Sequence, residues 1–349
     1  MKHYIGIDFH MQHSSIAVMD QNGSLIDEQK LYHSEEDRLH KYFESLPKDS
    51  SVSLEATRNW YWIVDYLQDM GLSVNLVHAK KARIIAESTI KTDKIDARVL
   101  AHLDRSNFLP KAYIATKDIR HQRELLRYYI SMVKIRSSIK NRVHAILAKN
   151  NVQHNFTDLF GTAGMQFLKD LALPAVFKSE IDGYCELLMN IRQRIKDAQS
   201  LIKEQCSTSP YVKRLITIPG ISYYTALLLA AEIADINRFA NSKKLCSYAG
   251  LVSSTRQSAD KTHHGHIIKD SNKYIRYALI EAVLHTVRKD PGLYRFYMHI
   301  RRAKGIAKAR VATARKLLIY IYAMLKNDTD YRHNRSYYNQ AISVTKLGI

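Results

Sequence analysis

The chain has 349 residues, of which 46% are hydrophobic, and it carries a formal net charge of +20 at pH 7. This composition supports two or three domains with substantial cores. No run of about 18 apolar residues is present, so a transmembrane span is not expected. The first ten residues, MKHYIGIDFH, are strand-like and lack a cleavable apolar segment, so we expect neither secretion nor a membrane partner.

The charge is divided unevenly along the chain. Residues 1–110 contain 13 Lys and Arg against 16 Asp and Glu, whereas residues 111–349 contain 40 against 17. A large positive field favours a polyanionic partner, because neutralising phosphates releases counterions. The second part therefore predicts nucleic-acid binding, with a basic protein that binds no nucleic acid as the simpler alternative.

The first 78 residues predict an α/β unit. Helices are predicted over residues 34–46 and 59–70 by apolar residues at helical spacing. Five segments are strand-like and bounded by turn signals: HYIGID, SSIAVMD, GSLIDEQKLY, SVSLEA and LSVNLV. Three hairpin-like strands followed by alternating helices and strands predict a mixed sheet covered by helices, of the ribonuclease H type.

Long helices dominate from about residue 117. Helical spacing continues to residue 150 and returns over residues 179–205, which predicts an antiparallel helical arm or a coiled coil between subunits. Residues 151–178, with Gly161, Gly164 and Pro174, predict a loop. An all-α domain follows over about residues 210–326. Three cysteines, Cys185, Cys206 and Cys246, have no metal-ligand spacing and are expected to be reduced thiols.

Four carboxylates are placed in the sequence so that they are expected to form one metal site. Asp8 ends the first predicted strand and Glu55 ends the fourth, and these strands are neighbours in a ribonuclease H sheet. Asp93 and Asp96, in KTDKIDA, are three residues apart and share one face of a helix. Such a cluster repels itself unless divalent cations occupy it. Because Mg²⁺ takes oxygen ligands, it is the predicted cofactor.

Each carboxylate also has a simpler explanation. An Asp at a strand end often forms a turn, Asp93 after Thr92 is able to cap a helix, and Asp96 is able to pair with a neighbouring Arg or Lys. An actin-like sugar kinase begins with a similar strand and Asp. It is disfavoured because the chain has 12 glycines and no glycine-rich phosphate loop.

The stretch YAGLVSSTRQSADKTHHGH is polar and basic, and it predicts a loop between helices. Ser258 lies there within a few residues of Arg256, Lys261 and His263. A serine hydroxyl is a poor nucleophile unless a base or cation assists it. Cations at these positions would hold a scissile phosphate and stabilise its developing charge. Composition alone does not single out Ser258, because most loop serines are inert.

Two further elements are candidate phosphate-binding surfaces. The turn Pro219–Gly220 precedes a helix, whose exposed N–H groups are able to bind a phosphate. An ordinary connection between helices explains that turn equally well. The last helix carries Arg310, Arg315 and Lys316, which would follow a nucleic-acid backbone or form a solvated face.

Together these motifs resemble the DEDD transposases of the IS110 group of insertion-sequence recombinases, over nearly the whole chain. GID with Asp8, LEAT with Glu55 and KTDKIDA with Asp93 and Asp96 follow the family's RuvC-like acidic tetrad. IPGI resembles the hairpin that opens the family's C-terminal transposase domain. YAGLVSSTRQSADK resembles the motif of the family's nucleophilic serine, which maps onto Ser258.

Two positions depart from the family pattern. Ser253 stands where the family usually has Pro, and Ala259 stands where it often has Gly. Ser253 and Ser254 are therefore alternative candidates for the nucleophile.

The resemblance implies four segments. They are a RuvC-like DEDD domain over residues 1–115, a helical arm over 116–207, a helical C-terminal transposase domain over 208–328 and a polar tail over 329–349. The expected fold class is thus α/β followed by all-α.

The resemblance also implies an enzyme that cuts and rejoins double-stranded donor and target DNA. Ser258 would form a transient phosphoserine link, and the tetrad would bind Mg²⁺ beside the same phosphate. The implied partners include a structured bridge RNA that pairs with both DNAs, and a dimer or tetramer of the chain in which the two sites meet across subunits. The expected location is the bacterial cytoplasm, on the nucleoid when the enzyme is active.

Three other functions are compatible with the sequence. A site-specific DNA invertase of the pilin-inversion type shares both motifs and differs in the DNA context of its gene. A RuvC-like junction nuclease would hydrolyse DNA with the metal site alone and would not need Ser258. A non-catalytic nucleic-acid-binding protein would need neither site.

Overall fold

The computed structural model describes residues 2–85, 92–206, 209–258 and 261–331. The chain divides into two compact units, one of residues up to Ile114 and one from Ala115 onward. Among the described residues, no helix has both the length and the apolar character needed to cross a membrane.

The described part of the first unit is built on one six-stranded sheet. Its strands are β1 (Tyr4–Phe9), β2 (His13–Met19), β3 (Leu25–Tyr32), β4 (Ser51–Glu55), β5 (Ser73–Val77) and β6 (Lys111–Ala112). The strand order is β3-β2-β1-β4-β5-β6. β1, β2 and β3 pair antiparallel, β4 and β5 run parallel to β1, and β6 is antiparallel at the edge. The predicted mixed sheet of the ribonuclease H type is confirmed.

Helices cover both faces of this sheet. They are α1 (Glu36–Ser45), α2 (Trp60–Asp69), α3 (Ala79–Ile85) and α4 (Asp93–Arg105). On one face, large apolar residues of alternate strand positions, such as Ile7 and Leu54, pack with α1 and α2 around Phe43. Side chains alternate along a strand, so the residues between them point to the opposite face. That opposite face lies under α4, which packs on β1 and β2.

The face beneath α4 carries small residues. Gly6 of β1 pairs with Ala17 of β2 and Ser53 of β4, and all three are buried. A β-carbon at Gly6 would lie 1.9 Å from the backbone oxygen of Ala97 in α4. These small residues therefore allow α4 to pack directly on the backbone of β1, which fixes the position of the first turn of the helix.

The second unit begins with the predicted helical arm. Two long helices, α5 (Lys117–Lys149) and α7 (Ala175–Cys206), pack against each other. Leu126 near the start of α5 shares a core with Ile202 near the end of α7, and Ile146 shares another with Leu188. The two helices are therefore antiparallel within one chain.

The prediction of a loop over residues 151–178 was wrong in part. Helix α6 (Thr162–Asp170) and the first turn of α7 lie within this range. Gly164 marks close packing, because a β-carbon there would lie 2.1 Å from the backbone oxygen of Leu159. Pro174 immediately precedes α7, and its carbonyl accepts a hydrogen bond from the N–H of Lys178. The prediction treated both residues as helix breakers. In the structure Gly164 lies inside α6, and Pro174 lies at the start of α7.

The remainder of the second unit is a helical domain that also carries a β-hairpin. Its elements are α8 (Pro210–Leu215), α9 (Tyr223–Ile233), a 3₁₀ turn (Ile236–Arg238), α10 (Ser242–Tyr248), β7 (Ser253–Ser258), β8 (Lys261–Ile267), α11 (Lys273–Val287), α12 (Pro291–Lys304) and α13 (Ile306–Lys326). The core lies between α9, α11 and α13, around Leu228, Leu279 and Leu317. Helix α9 is buried on all sides from Ala226 to Ile233, as is typical of a central helix.

The start of the predicted polar tail is attached to this unit. Arg214 donates hydrogen bonds to Asp328 at 3.0 Å and to Asp330 at 2.8 Å. The backbone N–H of Tyr331 donates to the Thr217 hydroxyl at 2.9 Å. The rest of the tail, from residue 332, lies outside the described residues.

Candidate active site

Asp8 and Glu55 occupy equivalent positions on two neighbouring parallel strands. Ile7 of β1 is in register with Leu54 of β4, so the next residue of each strand stands beside the other near the C-terminal ends. By strand alternation both belong to the face that carries Gly6, under α4. The Asp8 side chain is 19% exposed, and Glu55 is half-buried. The register therefore places these two carboxylates side by side, as the strand pattern predicted.

Asp93 and Asp96 lie in the first turn of α4. Thr92 is the N-cap, and its hydroxyl accepts a hydrogen bond from the N–H of Ile95 at 3.3 Å. The alternative explanation of Asp93, that its side chain caps the helix, is therefore wrong. Negative side chains in a first helical turn are favoured by the helix dipole.

The cations next to Asp96 along the helix are engaged elsewhere. Arg98 donates to the two carboxylate oxygens of Glu28 in β3 at 2.7 and 3.1 Å, and the Lys94 ammonium lies 3.2 Å from the same carboxylate. These bonds attach α4 to the sheet at a second point, beyond its contact with Gly6.

Asp8, Asp93 and Asp96 interact electrostatically. Burial raises the pKa of Asp8, and the negative charges of Asp93 and Asp96 raise it further, while His10 opposes the increase. A hydrogen bond with His13 holds the pKa of Asp93 below its usual value. The carboxylates of β1 and α4 are therefore close enough to repel each other.

Two histidines join this cluster, and sequence reasoning missed both. The Nε2 atom of His10 lies 3.0 Å from a carboxylate oxygen of Asp8 and 3.4 Å from one of Asp93. The Nε2 atom of His13 lies 3.3 Å from the other oxygen of Asp93. Both imidazoles thus point at the acidic cluster.

The turn between β1 and β2 places these histidines side by side. The N–H of His10 donates to the carbonyl of His13 at 3.0 Å, so Met11 and Gln12 form a tight turn. The two rings stack with centroids 4.7 Å apart. The signal in the sequence was the spacing in DFHMQH, because residues that flank a two-residue turn are opposite each other across a hairpin.

Ser258 lies at the end of a strand. The stretch predicted as a loop is a β-hairpin, in which Ser258 pairs with Lys261 and Arg256 pairs with His263. Ala259, one of the departures from the family pattern, lies outside the described residues. The alternative serines, Ser253 and Ser254, are exposed at the other end of β7. The hairpin therefore separates Ser258 from both alternatives by several residues of extended backbone.

The Pro219–Gly220 turn packs against α11. Gly220 has φ +90°, and a β-carbon there would lie 2.7 Å from the backbone nitrogen of Thr286, so the turn requires glycine. The turn and the start of α9 line a groove of about 650 Å³, whose opposite wall includes His285, Arg288 and Lys289. This wall also carries Glu281, so Arg288 and Lys289 share the groove with one acidic residue.

The three predicted basic residues of α13 differ in exposure. Arg315 is exposed, whereas Arg310 and Lys316 are half-buried. The Lys316 ammonium lies 4.2 Å from the centroid of the Phe296 ring, and burial lowers its pKa. Arg315 is therefore the best placed of the three to contact a phosphate.

Two family models match the chain. Residues 5–151 match a transposase model for the DEDD enzymes of the IS110 group, and this range contains the four carboxylates. Residues 212–298 match the model described as the transposase IS116/IS110/IS902 family, and this range contains Ser258 and the Pro219–Gly220 turn. Both candidate sites thus lie inside the matched segments.

Individual transposases are similar over most of the chain. The transposase for insertion sequence element IS1111A of Coxiella burnetii is 25% identical over 306 residues, which cover 82% of this chain and 80% of the relative. The transposase for IS1328 of Yersinia enterocolitica is 24% identical over 66% of this chain and 69% of the relative. The transposase for IS1533 of Leptospira borgpetersenii is 24% identical over 69% and 72%.

The fold, the acidic cluster and the matches with known proteins all indicate the same family. A DEDD transposase depends on divalent metal ions, and one group of donor atoms, from His10, His13 and Asp93, lies within 4.8 Å of one another in the matched segment. The chain therefore belongs to the IS110 family of DEDD transposases, enzymes that cut and rejoin DNA.

Proposed function

We propose that this enzyme mobilises an insertion sequence by cutting and rejoining donor and target DNA, with Ser258 as nucleophile and the tetrad Asp8, Glu55, Asp93 and Asp96 as a Mg²⁺ site. The observation that carries the proposal is the meeting of β1, β4 and the first turn of α4. There, Asp8 and Glu55 follow residues that are in register on neighbouring strands, and His10 lies within 3.4 Å of both Asp8 and Asp93, inside a segment that matches DEDD transposases.

The residues of the tetrad fit a divalent cation. Carboxylate oxygens are the ligands that Mg²⁺ prefers, and mutual repulsion between Asp8, Asp93 and Asp96 would be relieved by a cation. When bound, such an ion would stabilise negative charge on the oxygens of a reacting phosphate. The strand ends of β1 and β4 supply a rigid support for Asp8 and Glu55.

Ser258 would perform the covalent step. Its hydroxyl oxygen would form a bond to a DNA phosphorus while the bond to the departing strand breaks, and the departing oxygen would take up a proton. A hydroxyl of the incoming strand would then reverse the step and release the serine. The neighbouring cations of the motif, Arg256 and Lys261, are proposed to hold the phosphate during both steps.

The basic second part of the chain would hold nucleic acid by its backbone. The groove beside Pro219 and Gly220 and the α13 residues Arg310, Arg315 and Lys316 are the proposed contacts, with Arg315 the most accessible. Contacts to phosphate position a nucleic acid without reading its sequence. Sequence choice would come from pairing with a bridge RNA, and the working form would be a homo-oligomer, a dimer or tetramer.

The test is a recombination assay with the full chain, Mg²⁺, RNA transcribed from the flank of the gene, and donor and target DNA. Insertion of the donor at the target, dependent on the RNA, would support the proposal. Inversion of a segment between two sites, without RNA, would favour the pilin-inversion type instead. Hydrolysis without any rejoined product would contradict both and favour a junction nuclease.

A further inference from the structure

His10 and His13 add nitrogen donors to the acidic cluster. Among the described residues, His10, His13 and Asp93 each offer one ligand atom, and these three atoms lie within 4.8 Å of one another. The Nε2 atoms of His10 and His13 approach the two different oxygens of the Asp93 carboxylate, at 3.4 and 3.3 Å. Three donors from two distant parts of the chain thus converge on one point.

We propose that His10, His13 and Asp93 form a binding site for a divalent transition-metal ion, distinct in chemistry from the all-carboxylate tetrad. Two imidazoles and one carboxylate form a donor set suited to transition ions such as Mn²⁺, Co²⁺ or Zn²⁺. Mg²⁺ takes oxygen ligands and keeps several waters. The inference rests on the proposed function in one respect, because Asp93 is shared with the tetrad.

The surrounding structure holds the turn that carries the two histidines. The Asn59 side chain donates to the carbonyl of His10 at 3.1 Å. His33 supports the same turn, with one ring nitrogen 3.2 Å from the Met11 carbonyl and the other 2.9 Å from the Ser14 hydroxyl. These contacts fix the backbone from which both imidazoles project.

A different role for the histidines is to act as positive partners of the carboxylates. The side chains of His10 and Asp93 are 41% and 46% exposed, and ion pairs at such exposure contribute little to stability. Hydrogen bonds between the imidazoles and the carboxylates of Asp8 and Asp93 use the same two Nε2 atoms. Metal binding therefore distinguishes the two roles, because a role in charge compensation requires no metal.

The experiment is pulsed electron paramagnetic resonance of Mn²⁺ bound to the full chain, prepared without a histidine tag. Mn²⁺ also binds oxygen ligands, so we expect it to bind to the tetrad whether or not the histidines are ligands. We expect modulation of the electron spin echo by imidazole nitrogen. Mn²⁺ bound without nitrogen modulation would overturn the histidine site and leave the tetrad intact, and no bound Mn²⁺ would overturn both.

Variants assign the signal to residues. His10→Ala combined with His13→Ala is expected to lose the nitrogen modulation and to weaken Mn²⁺ binding by about tenfold or more, with a much smaller change for Mg²⁺. His102→Ala, an exposed histidine of α4, is the matched control and keeps the modulation. Persistence of the signal in the double variant would overturn the proposal. A separate experiment tests the tetrad itself. Normal DNA cleavage by Asp96→Asn would show that the tetrad is not the catalytic metal site.

Discussion

Gly6 and Ala97 are packed so tightly that no side chain fits between them. The 1.9 Å separation between a β-carbon at Gly6 and the Ala97 carbonyl oxygen is far below any allowed contact. Asp8 lies two residues after Gly6, and Asp96 immediately precedes Ala97. The distance between the two carboxylates is therefore set by the absence of a side chain at residue 6.

Gly6→Ala is expected to displace α4 and to lower DNA cleavage. Overpacking of this kind costs about 1–3 kcal/mol of folding stability, and a 1 Å error in the position of a catalytic group costs about a hundredfold in rate. Cleavage rate and tryptophan fluorescence measure the two effects. Gly183→Ala in α7, where a β-carbon meets nothing within 4 Å, should leave cleavage unchanged. Equal cleavage by both variants would contradict this role of Gly6.

Asp96→Asn is expected to abolish DNA cleavage and to leave DNA binding nearly unchanged. The substitution keeps the size of the side chain and removes one negative metal ligand, while the basic surfaces of the second unit are untouched. Cleavage and gel-shift assays of the same preparation separate the two properties. Asp37→Asn, an exposed residue of α1, is the control. Normal strand exchange by Asp96→Asn would exclude the tetrad as the metal site.

Glu232→Gln is expected to destabilise the helical unit. Glu232 in α9 is fully buried, lies 2.9 Å from the Arg127 guanidinium and accepts a hydrogen bond from Asn272 at 2.8 Å. Removing one partner of a buried pair costs about 3–5 kcal/mol. We expect the lower end of this range, because the Arg127 side chain is 28% exposed.

Two probes separate the units in this unfolding experiment. The chain has two tryptophans, at positions 60 and 62, both in the first unit, so their fluorescence follows that unit while far-UV circular dichroism follows the helices. Glu232→Gln should lower the urea midpoint of the dichroism signal. Glu124→Gln, 59% exposed beside Arg127, should change stability by less than about 0.5 kcal/mol. Equal midpoints for the two variants would refute the buried-pair argument.

DNA affinity is expected to fall steeply with salt. Six to ten phosphate contacts correspond to a loss of about 10³–10⁵-fold between 50 and 200 mM salt. Arg315→Ala should reduce the slope of log affinity against log salt by about one. Lys316→Ala should reduce it less, because that ammonium is half-buried on Phe296. An affinity that stays flat over this range would rule out the electrostatic account.

Each feature was predictable where a strand or helix pattern in the sequence marks it. The positions of Asp8 and Glu55 were predictable because strand ends and sheet order together determine which residues meet. His10 and His13 were missed because their meeting depends on a tight turn and on Asp93, 80 residues away. No composition or periodicity marks such a pair.

Two elements were mispredicted for physical reasons. The hairpin β7–β8 is polar and its described side chains lie mostly in solvent, so it lacks the alternation of buried and exposed residues that marks a strand. Helix α6 was missed because Gly164 was treated as a breaker, while its role is contact with the backbone of Leu159. In both cases tertiary context decided the structure.

The central claim, that Ser258 is the nucleophile and that a carboxylate tetrad holds the metal, is tested most directly by trapping. The full chain is incubated with Mg²⁺, the RNA transcribed from the flank of its gene and labelled junction DNA, and is then denatured. We predict label covalently attached to the protein, lost in Ser258→Ala and retained in Ser253→Ala and Ser254→Ala. Cleavage without any adduct, unchanged in Ser258→Ala, would mean that the tetrad acts alone and would contradict the account.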